Sequence, residues 1–478
     1  MKPERDDRLT FDVGQRFRIP ELPGAPLPRR AFVSTYYDTA DHRLTRTGVT
    51  IRRRLERRRH RWQVSLLRGR AHLELPSREA VPPLQALEAL LPVFTRGGEL
   101  VPIATLSTRR SGLVVKDQAE PIAEIVLDHI AVLEDGRAVQ RFRHLEVRPL
   151  VDSEEALGRI GTLLEKAGAT RTDGRSPLMR TVGIEAPAAV EPAAEASPVD
   201  QIRAMLRAQL ASMRAHDPGT RLGVDAEELH QMRTAVRRLR AILRTGRSIL
   251  DGWTEELRSE LDWLGTALGV VRDLDVLRES LRTEIARFEG AEHPAGRRLL
   301  RRLDAERMRG REALRAALND PRYFALVDRL EEHLGRPLSN VPAEVSLSEM
   351  AAAAWKKLRK AVDKLPEEPS DEDLHAVRIK LKRARYTAEL AQASVGRPAR
   401  RFIATARKVQ DILGDHQDAV VAEEQLRMLL AGARGRGAAF AAGRLVERQR
   451  GRRLAARNAF VERWPKLERR GRKAWGDV

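Results

Sequence analysis

The sequence contains no cysteine, few aromatic residues and no long apolar run. Without Cys among 478 residues, disulfides, thiolate metal sites and a cysteine nucleophile are excluded. Aromatic residues make up only 4% of the chain, so its cores must consist mainly of Leu, Val, Ile and Ala. No segment approaches the roughly 20 apolar residues of a membrane-spanning helix, and the first residues lack the apolar run of a signal peptide. We therefore expect a cytoplasmic protein without a membrane partner.

Positive charge, in contrast, is abundant. The chain has 88 basic and 68 acidic residues, a net charge of +20. A field of this sign attracts nucleic acid, phosphate polymers or an acidic membrane surface. Compositional bias toward arginine would explain the total charge, but it explains the placement of the charges less well.

The pattern of the chain predicts an α+β protein with two domains. Residues 1–184 consist of short runs that alternate apolar and charged side chains, which is the period of a β-strand. Within them we expect a turn at Glu134 to Gly136 and one helix from Ser153 to Ala167, ended by Gly168. The predicted architecture of this domain is an antiparallel β tunnel or barrel.

A segment rich in Ala, Pro and Glu, residues 185–200, predicts a linker. After it, residues 201–478 show the period of long amphipathic helices. Pauses between helices are expected near Asp217 to Gly223, Arg336 to Pro342 and Pro366 to Ser370.

The helical part repeats itself. LHQMRTAVRRLR begins at Leu229 and LHAVRIKLKRARY at Leu374, whereas LGVVRDLDVL begins at Leu268 and LGDHQDAVVA at Leu413. Both pairs of motifs are separated by 145 residues, from 229 to 374 and from 268 to 413. Two motif pairs with one offset indicate a duplication. The expected halves are residues 201–340 and 345–470.

Each copy of the first motif carries a basic stripe beside an apolar face. The spacing of three and four residues puts each set on one side of a helix. The stripe of the first copy contains His230, Arg233, Arg237, Arg240 and Arg244, and that of the second contains His375, Arg378, Lys382 and Arg385. Neither stripe includes an acidic residue to relieve the repulsion between its cations. This pattern favours a bound anion over a solvated surface.

The histidines and aspartates in these motifs have two interpretations each. Both histidines begin a basic stripe, which favours phosphate contact over a packing role. Ligands at metal-binding spacing are missing around them, so no metal is expected here. For Asp273, Asp275 and Asp418, an ion pair that orients a stripe arginine is the better interpretation than metal or proton chemistry.

These motifs closely resemble the CHAD domain over residues 201–470. The resemblance implies two helical bundles related by a pseudo-twofold axis, with histidines and basic residues on a central channel that binds inorganic polyphosphate. The resemblance assigns polyphosphate binding to the two stripes and Arg383, with Arg272 as a weaker candidate. It also makes association with polyphosphate granules an expectation.

Residues 5–183 resemble the CYTH family of triphosphate tunnel enzymes, on the basis of STYYDTADHRLTRTGVTIRRRLE from Ser34 to Glu56. That family implies an eight-stranded tunnel that hydrolyses triphosphates with a divalent metal. Its ExExK motif is replaced here by Asp6, Arg8 and Thr10. An arginine at the place of a metal-ligating carboxylate inverts the local charge.

Other positions of the family pattern are also altered. A lysine is replaced by Ser65, an acidic pair by His144 and Glu146, and a terminal Ser-Lys pair by Ser176 and Pro177. Arg52 and Arg54, with Arg109 or Arg110, remain as candidates for phosphate binding or for a solvated strand face. The acids Glu74, Glu124 and Asp128 are scattered. We expect a tunnel that has lost catalysis, with no catalytic residue and no cofactor.

Three functions follow in order of preference. The first is polyphosphate binding by the helical domain. The second is a metal-dependent triphosphatase, which would require Mg²⁺ or Mn²⁺ in the first domain. The third is nucleic-acid binding, which the few aromatic residues and the lack of a recognised motif disfavour.

Overall fold

The computed structural model describes residues 9–66, 71–75, 87, 89–118, 120–151, 153–172, 175–185, 197–248, 250, 252–287, 292–336, 346–430 and 436–476. The chain divides into two compact units, Met1–Ala188 and Ala189–Val478. The first contains the β-sheet and the second contains only helices in its described part, so the predicted α+β class is confirmed.

The N-terminal unit is built on one antiparallel sheet. Its strands are β1 Leu9–Val13, β2 Gly24–Pro26, β3 Arg30–Asp38, β4 Thr50–Glu56, β5 Arg59–Leu66, β6 Ala71–Leu75, β7 Val101–Asp117, β8 Glu120–Glu134, β9 Arg137–Pro149 and β10 Ala169–Arg171. They pair in the order β10-β1-β9-β8-β7-β3-β4-β5-β6, and β2 pairs with β7. The helices that the structure describes beside the sheet include α1 Arg43–Arg46, α2 Pro92–Thr95, α3 Glu154–Lys166 and α4 Pro177–Thr181.

The two faces of the sheet differ in chemistry because side chains alternate along each strand. One face packs against α3, where Phe11, Ile125, Leu145 and Leu164 are fully buried. The opposite face carries charged side chains, described below. Ser153 caps α3, as its hydroxyl accepts a hydrogen bond from the backbone N–H of Ala156, and Gly168 follows with a φ of +94°. The predicted helix and the turn at Glu134 to Gly136 are therefore both confirmed.

The C-terminal unit consists of long helices. They are α5 Pro198–Leu222, α6 Ala226–Thr245, α7 Thr254–Ile285, α8 Glu292–Asn319, α9 Pro321–Gly335, α10 Leu347–Val362, α11 Asp371–Leu390, α12 Gln392–Val395, α13 Arg397–Leu430 and α14 Arg436–Trp475. None of the described helices is both long enough and apolar enough to cross a membrane.

The predicted pause near Asp217 to Gly223 is confirmed at its end but not at its beginning, since α5 continues through Pro218 and ends at Leu222, before α6 begins at Ala226. The physical reason is a buried network at this point. Asp217 accepts a hydrogen bond of 2.6 Å from Nε of Arg221, one helical turn later, and a second of 3.0 Å from the Tyr323 hydroxyl of α9. Burial raises the pKa of Asp217. These contacts hold the helix through the proline, and Gly223 ends it with a φ of +64°.

Candidate functional site

The first basic stripe lies on α6, which begins after the capping residue Asp225. The apolar face beside the stripe is buried as predicted: Leu229, Met232, Val236, Leu239 and Leu243 are at most 2% exposed. This packing fixes the rotation of α6 and directs the adjoining basic face to one side.

Two arginines of this stripe have carboxylate partners on α7. Nη1 of Arg233 lies 3.0 Å from Asp273, and Nη2 of Arg240 lies 2.5 Å from Asp262. Although the stripe itself contains no acid, two of its arginines are therefore compensated, because the neighbouring helix supplies a carboxylate to each. For Asp273 the interpretation as an orienting ion pair is confirmed, whereas Asp275 instead pairs with Arg307 of α8.

The cations of the two halves come together where α6 and α11 meet. Lys382 of α11 is partly buried, and burial together with Arg237, Arg378 and Arg233 lowers its pKa to about 7. Burial lowers the pKa of Arg378 as well, followed by the effect of Arg237. The repeat places Arg237 and Lys382 at equivalent positions, as it does Arg233 and Arg378. The duplication thus forms one cationic cluster, Arg233, Arg237, Arg378 and Lys382, which we call the central cluster.

Three members of the central cluster have no counterion at hydrogen-bonding distance. Over the described part of the chain, Arg237, Arg378 and Lys382 form no ion pair or side-chain hydrogen bond, and Nε of Arg378 is buried without a partner. Asp418 is the nearest acid that acts on both Arg378 and Lys382. Uncompensated, partly desolvated cations have a high free energy, which an anion would lower.

Asp273 and Asp418 are also equivalent in the repeat, and they face the cluster together. Burial raises the pKa of Asp273, Arg233 lowers it, and the charge of Asp418 raises it again. The two carboxylates are therefore close enough to repel each other. They place a small negative region among the cations.

His230 lies near Arg272, and His375 lies near Gln417. Arg272 and Gln417 occupy equivalent positions in the two halves. Burial and then the charge of Arg272 lower the pKa of His230. Nδ1 of His375 lies 2.6 Å from Oε1 of Gln417, which orients the imidazole and leaves Nε2 for a further contact.

Three residues of the predicted set lie elsewhere. Arg385 is only 4% exposed, and its guanidinium bonds to Glu389 and, at 2.8 Å, to Gln410. It also stacks 4.2 Å from the centre of the Tyr386 ring. We correct its assignment from anion binding to stabilisation of the helical core. Arg383 and Arg244 are exposed and belong to neither the central cluster nor its ion pairs.

A model of the family described as the CHAD domain matches residues 204–427, which include every residue of both stripes. These residues form a CHAD domain.

Relatives and solved structures are similar over larger parts of the chain. An uncharacterized protein of Mycobacterium tuberculosis strain H37Rv, Rv2226, is 29% identical over 84% of this chain and 82% of its own length. PptA from Streptomyces chartreusis is 27% identical, with a TM-score of 0.48 over 56% of this chain and 98% of PptA. The CHAD domain from the plant Ricinus communis is 25% identical, with a TM-score of 0.45 over 60% and 94%.

The N-terminal unit, outside the CHAD domain, has its own group of arginines on the charged face of the sheet. Arg54 is 7% exposed, stacks 3.6 Å from the centre of the Phe32 ring and lies 2.9 Å from Glu56. Burial lowers its pKa to about 10, and the charges of Arg52, Arg30 and Arg110 act in the same direction. Arg110, rather than the predicted Arg109, therefore belongs to this group, because Arg109 is exposed and alternates to the other face.

Arg52 is engaged with its neighbours on the sheet. Its Nε donates to Gln63 at 3.0 Å and Nη1 to the Tyr36 hydroxyl at 3.2 Å. Solved structures similar to the N-terminal region include putative adenylate cyclases from Bacillus halodurans and Vibrio parahaemolyticus, with 19% and 17% identity and TM-scores of 0.23 and 0.21.

Three acids of the sheet, Asp128, Glu146 and Asp12, are paired with arginines, whereas Glu124 has no ion pair among the described residues. Asp128 binds Arg110 in a bidentate manner at 2.7 and 2.8 Å, Glu146 lies 2.7 Å from Arg148, and Asp12 pairs with Arg180. A divalent cation would have to displace these guanidinium groups, so the carboxylates do not fit a metal site. Thr10 bonds to Thr172 at 2.7 Å, while Asp6, Arg8 and the side chain of Glu74 lie outside the described residues.

Proposed function

We propose that the CHAD domain of this chain binds inorganic polyphosphate at the central cluster. The observation that supports this most strongly is the accumulation of Arg237, Arg378 and Lys382, from both halves, without a bonded acid. A linear polyanion would neutralise all three at once. Guanidinium forks and an ammonium group engage successive phosphates without requiring sequence or shape recognition.

The pseudo-twofold arrangement suits a polymer better than a single phosphate. Equivalent cations on α6 and α11 repeat along the direction in which a chain of phosphates could continue toward His230 and His375. Both histidines begin their stripes and would contact outer phosphates. The carboxylates of Asp273 and Asp418 disfavour indiscriminate anion binding, because any ligand must outweigh their repulsion.

Titration of the full chain with long-chain polyphosphate at fixed ionic strength tests the proposal. Arg237→Glu and Lys382→Glu should each weaken binding at least about tenfold, because each replaces a charge-assisted contact by a repulsion. Lys380→Glu is the matched control, since Lys380 is exposed on the same helix as Lys382. It should change Kd by less than about twofold. Equal behaviour of all three variants would refute the proposal.

The triphosphatase alternative is less well supported, because Asp128, Glu146 and Asp12 of the sheet are already paired with arginines. Phosphate release from tripolyphosphate in the presence of Mg²⁺ or Mn²⁺ would restore this alternative.

Association of the protein with polyphosphate granules and its location in the cytoplasm stay predictions from the sequence.

A further inference from the structure

The two halves of the CHAD domain differ at one place where the repeat would make them alike. A cavity of about 970 Å³ lies in the first half, between α6, α7, α8 and α13. Arg233, Arg237 and Arg240 line one side of it. Comparison of the two sequences at an offset of 145 residues shows how the halves differ beside the cavity.

Gly265 of α7 is equivalent to Gln410 of α13. In the second half Gln410 accepts the hydrogen bond from Nε of Arg385 and holds that arginine inside the core. In the first half the glycine leaves this space open, and the equivalent arginine, Arg240, turns to Asp262 and remains partly exposed at the cavity wall. The symmetry of the duplication is therefore broken by loss of a side chain, and the cavity is the result.

The walls of the cavity have two kinds of chemistry. The arginine side also includes Arg309 of α8, for which the described residues provide no ion pair. The other side is apolar and flat, with Gly269 and Gly310 beside Val270 and Met428, which are 50% and 70% exposed. Large apolar side chains that are exposed around a concave site are typical of ligand-binding surfaces.

Polar groups on the cavity wall restrict the ligand further. Oε1 of Gln425 is buried and lacks a hydrogen-bond partner among the residues described. Glu306 also lines the cavity, whereas Asp262 and Asp273 there are paired with Arg240 and Arg233. The acceptors of Gln425 and Glu306 disfavour an acyl chain, which has no donors, and they match the hydroxyl and amino groups of a sugar and a base. A volume near 1,000 Å³ accommodates a ligand of nucleotide size.

From this asymmetry we infer that the first-half cavity binds a nucleoside polyphosphate, with the phosphates on the arginine side and the nucleoside on the glycine-lined side. The site shares Arg233 and Arg237 with the central cluster and rests on the proposed function only through these two residues. Inorganic polyphosphate alone does not use the flat apolar side.

The probes are ATP and inorganic tripolyphosphate, titrated into the full chain without divalent cations at equal ionic strength. Both carry three phosphates, and tripolyphosphate carries at least as much charge, so electrostatics alone gives ATP no advantage. Contact of the nucleoside with the cavity should make ATP bind at least about tenfold more tightly. If ATP binds no more tightly than tripolyphosphate, the inference is overturned.

Gly265→Gln locates the site by introducing the residue of the second half. A Cβ at Gly265 would lie 3.6 Å from Val236 and 3.8 Å from Arg240, which are ordinary contacts, so the variant should fold. We expect it to remove the tenfold preference for ATP. Because the new glutamine can engage Arg240, tripolyphosphate should also bind more weakly, but its loss should be clearly smaller than that of ATP. An unchanged ATP affinity, or an equal loss for both ligands, would contradict the assignment.

Two further variants complete the test. Gln410→Gly is the control, because it alters the equivalent position in the half without the cavity and should leave the ATP preference in place. Val270→Asp introduces the residue equivalent to Asp415 at an exposed position and should also remove the preference; a retained preference would count against the site. Long-chain polyphosphate with Lys382→Glu reports on the proposed function separately, because Lys382 belongs to the central cluster and does not line the cavity.

Discussion

Arg237 and Lys382 occupy equivalent positions in the two halves of the CHAD domain, and the guanidinium of the first lowers the pKa of the ammonium of the second. No acid bonds to either group within the described residues. The relationship shows that the duplication brings like charges together at one place, at a cost to the folded chain. A ligand of opposite charge would remove that cost. The pH dependence of binding should then show the change in the pKa of Lys382.

Polyphosphate binding is expected to weaken as pH rises from 7 to about 10. Burial and the neighbouring arginines lower the pKa of Lys382 to about 7 in the free protein. A bound polyanion favours the charged ammonium and raises this pKa, so the complex holds more protons than the free protein above pH 7. Titrations at pH 6, 7, 8 and 9 measure the effect.

Lys382→Arg is the control for this prediction, because its guanidinium stays charged throughout the range. We expect its affinity to change much less between pH 7 and 9 than that of the native chain. The same pH slope in both proteins would show that another group is responsible. His230 is the candidate for such a group, because a bound polyanion would raise its pKa, which burial lowers in the free protein.

Binding should also depend steeply on salt, since each phosphate contact releases a counterion. By analogy with single-stranded nucleic acids, each cation of the central cluster contributes about 0.7 to the slope of log K against log salt. Arg378→Gln should therefore give a shallower slope by roughly this amount. The measurement is a set of titrations between about 50 and 200 mM salt. A slope that does not change would place Arg378 outside the contact.

The sequence predicted the helical site better than the sheet. Periodicity correctly assigned Leu229, Val236 and Leu243 to the core, since an amphipathic helix fixes which side is buried. It could not reveal that Asp262 and Asp273 reach Arg240 and Arg233, because the acids lie on another helix. Such pairs depend on packing between helices, which spacing along one helix does not encode.

Arg385 shows a second limit of the pattern. It continues the basic stripe of α11, yet Glu389 and Gln410 hold it inside the core. The offset of 145 residues could have indicated that Arg385 and its equivalent, Arg240, have different surroundings, because it aligns Gln410, the partner of Arg385, with Gly265. On the sheet, a shift of one residue separates Arg109 from Arg110. The sequence left both open, and only the register of β7 with β8, which pairs Arg110 with Asp128, decides between them.

The buried network of the first helical half should be essential for stability. Asp217→Ala would leave Arg221 buried and without its 2.6 Å partner, and we expect a loss of about 3–5 kcal/mol in the free energy of unfolding. Tyr323→Phe removes one neutral donor and should cost about 1 kcal/mol. Urea unfolding measures both. Equal losses would indicate that the carboxylate does not compensate Arg221.

Replacement of Arg54 in the sheet should increase stability rather than reduce it. Its Nε is buried without a partner, and Glu56 retains two 2.7 Å contacts with Arg30 when Arg54 is removed. Replacement of a poorly compensated buried charge by an apolar side chain is neutral or stabilising, so Arg54→Met should raise stability by about 1 kcal/mol. Thermal unfolding checks this. A clear decrease would mean that stacking on Phe32 outweighs the cost of burial.

A crystal structure of the full chain with long-chain polyphosphate tests the central claim most directly. We predict phosphates between α6 and α11, with oxygen atoms within hydrogen-bonding distance of Arg237, Arg378 and Lys382, and the chain continuing toward His230 and His375. Phosphates bound only at other surfaces, such as the arginines of the N-terminal sheet, with the central cluster unoccupied, would contradict the account.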